Sequence, residues 1–192
     1  MRRFTKKGVR TSEPGEVPGT LRYTGKRSGP TEISLLDYTP EDFREEDGVT
    51  VDECGECRAR ESVTWVNVCG LEDTEQIDKL GSAFDLHPLA LEDILNVGQR
   101  PKAEDFGDFI LIIAKMFRFD RAEESVLYEQ IGIVLGKGFV ITFQEGDGDV
   151  FDPVRERIRR GLGRIRTSGA DYLAYALLDA LVDSYFLVLE KI

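Results

Sequence analysis

The chain has few of the residues from which most catalytic centres are built. Its 192 residues include one His, one Trp and three Cys. The single histidine, His87, precedes a proline, a position typical of a turn or a helix cap rather than of acid–base catalysis. No Ser or Cys has an identifiable general base, and no glycine-rich loop opens a helix as in a phosphate-binding site. We therefore do not expect an enzyme, and a carboxylate-based metal hydrolase is the remaining enzymatic alternative.

Basic charge is also scarce relative to acidic charge. Thirty-six acidic side chains stand against 25 basic ones, which gives a formal net charge of −11. This balance argues against nucleic-acid binding and favours the attraction of cations. One segment is an exception, with six arginines: Arg155, Arg157, Arg159, Arg160, Arg164 and Arg166. RNA, phosphate or lipid headgroups are possible ligands for it, but without interleaved aromatics a solvated helix face paired with acids is the favoured interpretation.

Neither a secretory signal nor a membrane span is expected. No apolar stretch follows the basic N-terminus, and no run of about 20 uncharged apolar residues occurs. The most apolar segment, residues 168–192, contains Asp179 and Asp183. Each Asp near the centre of a spanning helix would cost roughly 2.5 to 3.5 kcal/mol.

Three cysteines are an odd number in a chain without a signal, which indicates reduced cytosolic thiols. Cys54 and Cys57 have the spacing of half a zinc site or of a redox pair. Zinc would need four ligands, and only Cys69 and His87 remain to complete the set. An alternative function is therefore a cytosolic metal-binding or redox module centred on Cys54 and Cys57.

Strand-like and helix-like segments alternate along the chain. Apolar β-type runs occur at 21–24, 33–38, 63–68, 109–119, 131–135 and 139–143. Helical signals begin at 39–42, 73, 88, 152 and 168, and a Gly-Lys-Gly turn at 136–138 predicts a hairpin. We predict an α/β sandwich in which residues 1–20 form a flexible arm, residues 21–166 the domain and residues 167–192 the start of a long helix.

The last helix carries no stop signal. Neither Gly, Asn nor Pro follows its final turn, so we expect it to continue beyond Ile192 in a longer protein. Asp179 and Asp183 are four residues apart and share one face, where their charges repel. A solvated polar edge is the favoured interpretation from the residues alone, and a bridging divalent cation is the alternative.

The run HPLALEDILNVGQRPK at 87–102 is the most distinctive motif of the chain. It resembles a characteristic segment of the CorA family of magnesium transporters. Further similar segments lie at 115–117, 143–145, 148–159 and 171–183. The resemblance extends in order from about residue 18 to residue 192, with residues 49–61 as the exception.

The resemblance implies a fold and a function. It implies a cytosolic α/β/α sandwich around a mixed sheet of about seven strands, followed by a long stalk helix. It implies a homopentameric divalent-cation channel at the cytoplasmic face of the cell membrane, attached through C-terminal helices that this chain does not contain. Magnesium bound between subunits would hold the pore closed, with cobalt, nickel and zinc as alternative ions. In that pattern Asp93 contributes to the main metal site, and Glu92 and Asp179 to a second. Asp183 is a further candidate metal ligand because of its spacing from Asp179.

Overall fold

A computed structural model of the chain describes residues 4–6, 17–25, 29–120, 124–146 and 148–191. The strands are β1 (Phe4–Lys6), β2 (Glu32–Tyr38), β3 (Phe43–Asp47), β4 (Val63–Cys69), β5 (Lys102–Asp105), β6 (Phe109–Asp120), β7 (Ser125–Gly136) and β8 (Phe139–Gln144). The helices are α1 (Val51–Arg58), α2 (Thr74–Ala83), α3 (Pro88–Leu95), α4 (Asp152–Arg159) and α5 (Ala170–Leu189).

The strands form one mixed sheet in the order β3-β2-β4-β8-β7-β6-β5, and β1 pairs with β7 outside this path. Strands β4 and β8 are parallel, as are β1 and β7, whereas the other pairs are antiparallel. The predicted mixed sheet is confirmed, and the predicted hairpin at 136–138 joins β7 to β8.

Because side chains alternate across a strand, the sheet separates two apolar cores. Ile141 and Phe143 of β8 lie in the core that also contains Leu80 of α2. Val140, which immediately precedes Ile141, lies in the core that contains Leu177 of α5. Helices α1, α2 and α3 therefore cover one face and α4 and α5 the other, which confirms the α/β/α sandwich.

Two local predictions are wrong. Residues 39–42 form a turn rather than a helix, because the Thr39 hydroxyl accepts from the backbone amides of Glu41 and Asp42. The chain then continues as β3, which pairs with β2 at the sheet edge. Residues 21–24 do not form a strand; instead the Thr24 amide donates to the Leu95 carbonyl at the end of α3.

Helix α1 was not predicted, although it has a recognisable start. Thr50 Oγ1 accepts from the Glu53 amide, and Glu53 Oε2 accepts from the Thr50 amide at 2.7 Å. This reciprocal capping box satisfies two backbone donors at the helix N-terminus. It fixes the helix in a run whose side chains are otherwise mostly polar.

The predicted N-terminal arm is described only in part. Residues 1–3 and 7–16 lie outside the described residues. Phe4–Lys6 forms β1 beside β7, and the Gly19 amide donates to the Glu92 carboxylate. These two described parts of the arm contact the domain, and the flexibility of the arm stays a prediction.

Helix α5 is long and apolar enough to cross a membrane by length and composition. One of its faces nevertheless packs on the sheet, where Leu173, Leu177 and Leu181 are buried. The opposite face exposes large apolar side chains, including Tyr175 at 59% and Phe186 at 60%. Among the residues that the structure describes, this second apolar face of α5 stays largely exposed.

Candidate functional site

Helix α3 presents the two acidic residues that the sequence singles out. His87 Nδ1 accepts from the Leu89 amide at 3.2 Å, which agrees with the capping role expected of His87, and Pro88 occupies the first helical turn. Leu91 and Ile94 are buried against the sheet. Because neighbours on a helix point about 100° apart, the adjacent Glu92 and Asp93 take different directions on the outer side of the helix.

The C-terminal end of α3 is fixed to the sheet by Gln130 of β7. The Gln130 side-chain amide donates to the carbonyls of Asp93, Ile94 and Asn96 at 3.1 to 3.3 Å. Its oxygen accepts from Lys115 Nζ at 3.0 Å. Since the last carbonyls of a helix have no partner within it, Gln130 satisfies groups that burial would otherwise leave unpaired. These hydrogen bonds hold the end of α3, and with it the backbone of Asp93, in a fixed position on the sheet.

The Asp93 carboxylate is bound at both oxygens by the segment that follows α3. Gln99 Nε2 donates to Oδ1 at 2.7 Å, and Lys102 Nζ contacts Oδ2 at 2.6 Å. Lys102 also contacts Glu104 at 3.0 Å. Burial alone would lower the pKa of Lys102, but its hydrogen bonds to Asp93 and Glu104 outweigh burial and raise it. The ammonium consequently remains charged between two carboxylates.

Glu92 contacts a different part of the chain. Its Oε2 accepts from the Gly19 amide at 2.6 Å. The segment before β2 continues past α3, where Thr24 exchanges hydrogen bonds with Leu95 and Val97. Glu92 therefore secures the N-terminal segment to α3 while it remains partly accessible.

Asp179 and Asp183 lie apart from this pair. Both are exposed on α5, which covers the opposite face of the sheet from α3. The structure thus brings Glu92 and Asp93 together on α3, and Asp179 and Asp183 together on α5, but does not join the two pairs. Among the described residues no three His, Cys, Asp or Glu side chains form a group able to hold a metal ion. The carboxylate oxygens of both pairs are ligands of the kind that hard cations prefer.

The residues that support Asp93 were not identified in the sequence as functional. Gln99 and Lys102 lie in the run at 87–102 that resembles the CorA family. The positive charge of Lys102, nine residues after Asp93, is a sequence signal for an ion pair between them. Gln130 is a buried polar residue in the apolar strand β7. Such a residue needs a hydrogen-bond partner, which is the signal that identifies it.

The arginine segment forms ion pairs within the domain, as the favoured interpretation expects. Arg155 contacts Asp149 at 2.6 Å and Arg159 contacts Glu45 at 2.6 Å. These pairs lie along a polar cleft of about 500 Å³ between α4 and the ends of β2 and β4. The charges of Arg155 and Arg159 are therefore balanced by acidic side chains within the domain.

Cys54 and Cys57 are buried in α1. Burial, reinforced by the neighbouring Cys57, raises the pKa of the Cys54 thiol to about 12, and burial likewise raises the pKa of Cys57. Reactive or metal-binding cysteines need the opposite shift, toward thiolate at neutral pH. The structure gives no support to the alternative module built on these thiols.

We expect Cys54 and Cys57 to resist alkylation in the folded chain at pH 7, because raised pKa values reduce their thiolate fraction and burial excludes the reagent. Mass spectrometry after iodoacetamide treatment, with and without urea, measures this protection, and the partly exposed Cys69 serves as the internal comparison. A zinc-induced rise in melting temperature that disappears in Cys57→Ser would contradict the expectation.

Comparison with known proteins places this architecture among cation transporters. The family described as CorA-like Mg²⁺ transporter protein matches residues 60–192. The chain is 47% identical to the cobalt/magnesium transport protein CorA of Thermotoga maritima over 182 residues, which cover 95% of this chain and 52% of that protein. The chain therefore spans about half the length of this relative.

Solved structures share the fold at low sequence identity. The CorA magnesium transporter of Methanocaldococcus jannaschii is 18% identical with a TM-score of 0.58, covering 83% of this chain and 47% of that one. The cytoplasmic domain of ZntB from Vibrio parahaemolyticus is 13% identical with a TM-score of 0.61, covering 83% and 62%. At these identities the likeness concerns the fold alone.

Proposed function

The chain belongs to the CorA-like Mg²⁺ transporter family, and from this membership we propose that it is the cytoplasmic regulatory domain of a homopentameric divalent-cation channel. In this proposal Mg²⁺ bridges carboxylates of neighbouring subunits and holds the pore closed. When internal Mg²⁺ falls, the ions leave, the carboxylates repel one another and the pore opens. The same ion, with Co²⁺ as a second substrate, is transported; Ni²⁺ and Zn²⁺ are the alternatives.

The observation that carries the proposal is the position of the two acidic pairs. Glu92 and Asp93 lie on one face of the sandwich, and Asp179 and Asp183 lie on the other. Two faces of one chain cannot converge on one ion, but the α3 face of one subunit can meet the α5 face of the next. Head-to-tail contacts of this kind form a closed ring when the rotation between neighbouring subunits closes, as it does in a pentamer.

The surroundings of the α5 pair suit such a contact. Val182 and Phe186 are exposed at 47% and 60% beside Asp183. Exposed apolar side chains around polar groups are typical of protein–protein interfaces. Carboxylates of two subunits that meet at this face would repel one another, and a cation between them would offset that repulsion. This combination makes association dependent on the metal.

The chemistry of the ligands favours Mg²⁺ as the regulating ion. Carboxylates are hard oxygen donors, and Mg²⁺ commonly binds through one or two of them while keeping several waters. Binding of this kind is weak, which suits a sensor that responds near cellular ion concentrations. The buried thiols offer no competing soft site.

We expect Mg²⁺ to raise the melting temperature of the 192-residue chain and to promote its self-association. At a concentration 100 times the dissociation constant, stabilisation of about 2.7 kcal/mol corresponds to roughly 5 to 10 °C. Asp179→Asn and Glu92→Gln should each reduce both responses. Thermal melting and sedimentation velocity in Mg²⁺ and in chelator measure them.

Asp78→Asn is the matched control, because Asp78 is an exposed aspartate on α2 and belongs to neither acidic pair. It should leave the Mg²⁺ response unchanged. An equal response in the wild type, Asp179→Asn and Glu92→Gln would remove these carboxylates from the proposal. The absence of any Mg²⁺-dependent association would contradict a metal-bridged assembly of this domain.

A further inference from the structure

The position of Lys102 in relation to Asp93 has a consequence for metal binding. Lys102 Nζ lies 2.6 Å from Asp93 Oδ2, at a carboxylate whose side chain is only 18% exposed. A divalent cation that used this oxygen would meet an ammonium already in contact with it. Like charges cannot share the position, so binding requires Lys102 to move.

Lys102 has a second partner to which it can move. Its ammonium also contacts Glu104 Oε2 at 3.0 Å, and the Glu104 side chain is 48% exposed. Both contacts are present at once. Moving wholly to Glu104 therefore breaks one ion pair while it keeps the other, which lowers the cost of releasing Asp93.

We propose that Lys102 is an internal competitor that occupies Asp93 in the absence of metal and moves to Glu104 when a divalent cation binds. This inference rests on the proposed role of Asp93 as a metal ligand. Lys102 is a positioning residue that sets the affinity of the site, and Glu104 acts only through Lys102. The arrangement weakens metal binding and so raises the Mg²⁺ concentration at which the sensor responds.

The rigid support of Asp93 makes this competition effective. Gln130 fixes the end of α3, and Gln99 holds the other oxygen of the Asp93 carboxylate at 2.7 Å. The Asp93 carboxylate is therefore not free to rotate away from Lys102 Nζ. Of the two groups, the long side chain of Lys102 has the greater freedom to rearrange.

The first test replaces the competitor. Lys102→Met keeps the apolar stem and removes the charge, and should lower the apparent dissociation constant for Mg²⁺ about three- to tenfold. Isothermal titration calorimetry of the 192-residue chain with MgCl₂ measures it. Lys79→Met is the matched control, because Lys79 pairs with Glu75 at 2.8 Å on the exposed side of α2. The control should bind Mg²⁺ as the wild type does.

A double-mutant cycle then separates the two possible roles of Glu104. Glu104→Gln alone should weaken Mg²⁺ binding a few-fold, because Lys102 loses the partner that receives it. In the Lys102→Met background the same change should have no effect. If Glu104→Gln weakens binding equally in both backgrounds, Glu104 is itself a ligand and the proposed movement is wrong.

A direct readout follows the lysine itself. Addition of Mg²⁺ should increase the rate at which an amine-specific reagent labels Lys102, measured by peptide mass spectrometry, because release from Asp93 exposes the ammonium. The labelling rate of Lys79 should stay constant. A purely structural role for Lys102 would leave its labelling rate independent of Mg²⁺ and would overturn the inference.

Asp93→Asn distinguishes failure of this inference from failure of the proposed function. Suppose that Asp93→Asn weakens Mg²⁺ binding but Lys102→Met binds Mg²⁺ as the Lys79→Met control does. Asp93 is then a ligand, and the proposal that Lys102 competes with the metal is wrong. If Asp93→Asn changes nothing, Asp93 is not a ligand and the inference falls with it. A Lys102→Met chain that binds Mg²⁺ more weakly than wild type, or does not bind it at all, also overturns the inference.

Discussion

Replacing Gln130 with Leu is expected to lower the free energy of unfolding by about 2 to 4 kcal/mol. A buried polar group that loses its partner costs about 1 to 3 kcal/mol, and this substitution affects several groups at once. The carbonyls of Asp93, Ile94 and Asn96 lose their donor, and Lys115 Nζ loses an acceptor. Urea denaturation monitored by circular dichroism measures the change. The Mg²⁺ response should weaken as well, because Asp93 loses its rigid support.

Gln144→Leu provides a closely matched control. Gln144 is 2% exposed, as is Gln130, and it lies on the neighbouring strand β8. Its side-chain oxygen accepts no hydrogen bond from any residue that the structure describes. The same chemical change should therefore alter stability by less than about 1 kcal/mol. Equal losses for the two substitutions would show that the contacts of Gln130 with α3 contribute nothing specific.

Replacing Arg155 with Met is expected to lower the free energy of unfolding by about 3 to 5 kcal/mol, since removing one partner of a buried ion pair leaves the other charge uncompensated. Arg155 binds both oxygens of Asp149 at 2.6 and 2.7 Å, and the Asp149 side chain is 5% exposed. The guanidinium also lies 4.9 Å from the centre of the Trp65 ring. Thermal and urea denaturation both report the loss.

Arg160→Met is the control for this substitution. Arg160 pairs with Glu156 one turn earlier, and both side chains are largely exposed, so about 0 to 1 kcal/mol is expected. Adding Asp149→Asn to Arg155→Met should restore part of the stability, because it removes the orphaned charge. If the double variant is no more stable than Arg155→Met, the loss comes from the contact with Trp65 rather than from the buried charge.

Local signals explain which elements could be predicted from the sequence. Helix α3 is bracketed by His87 and Asn96, which lie within ten residues of each other and carry their own capping chemistry. The long apolar run of β6 likewise needs no distant partner to be recognised as a strand. By contrast, β3 reads FREED and is largely exposed at the edge. It is a strand because β2 offers it hydrogen bonds, which no local pattern expresses.

The same distinction applies to the candidate site. Glu92, Asp93, Asp179 and Asp183 were identified through a family resemblance and through helical spacing, both of which the sequence contains. The contact of Asp93 with Gln130 could not be predicted in this way. Gln130 lies 37 residues from Asp93 and contacts it only after the sheet has formed. Capping boxes are an exception to this limit. The spacing of Thr50 and Glu53 is a local signal that indicates the start of α1.

The pairing of β4 with β8 governs when this domain can fold during synthesis. Asn67 and Thr142, which bond across these two central strands, are 75 residues apart in the chain. Ribosomes add about 5 to 20 residues per second, so β4 waits roughly 4 to 15 seconds for its partner. During that interval the apolar face of α3 has no completed sheet to pack against. The nascent chain must therefore keep its apolar segments from aggregating until β8 emerges, a demand that chaperones commonly meet.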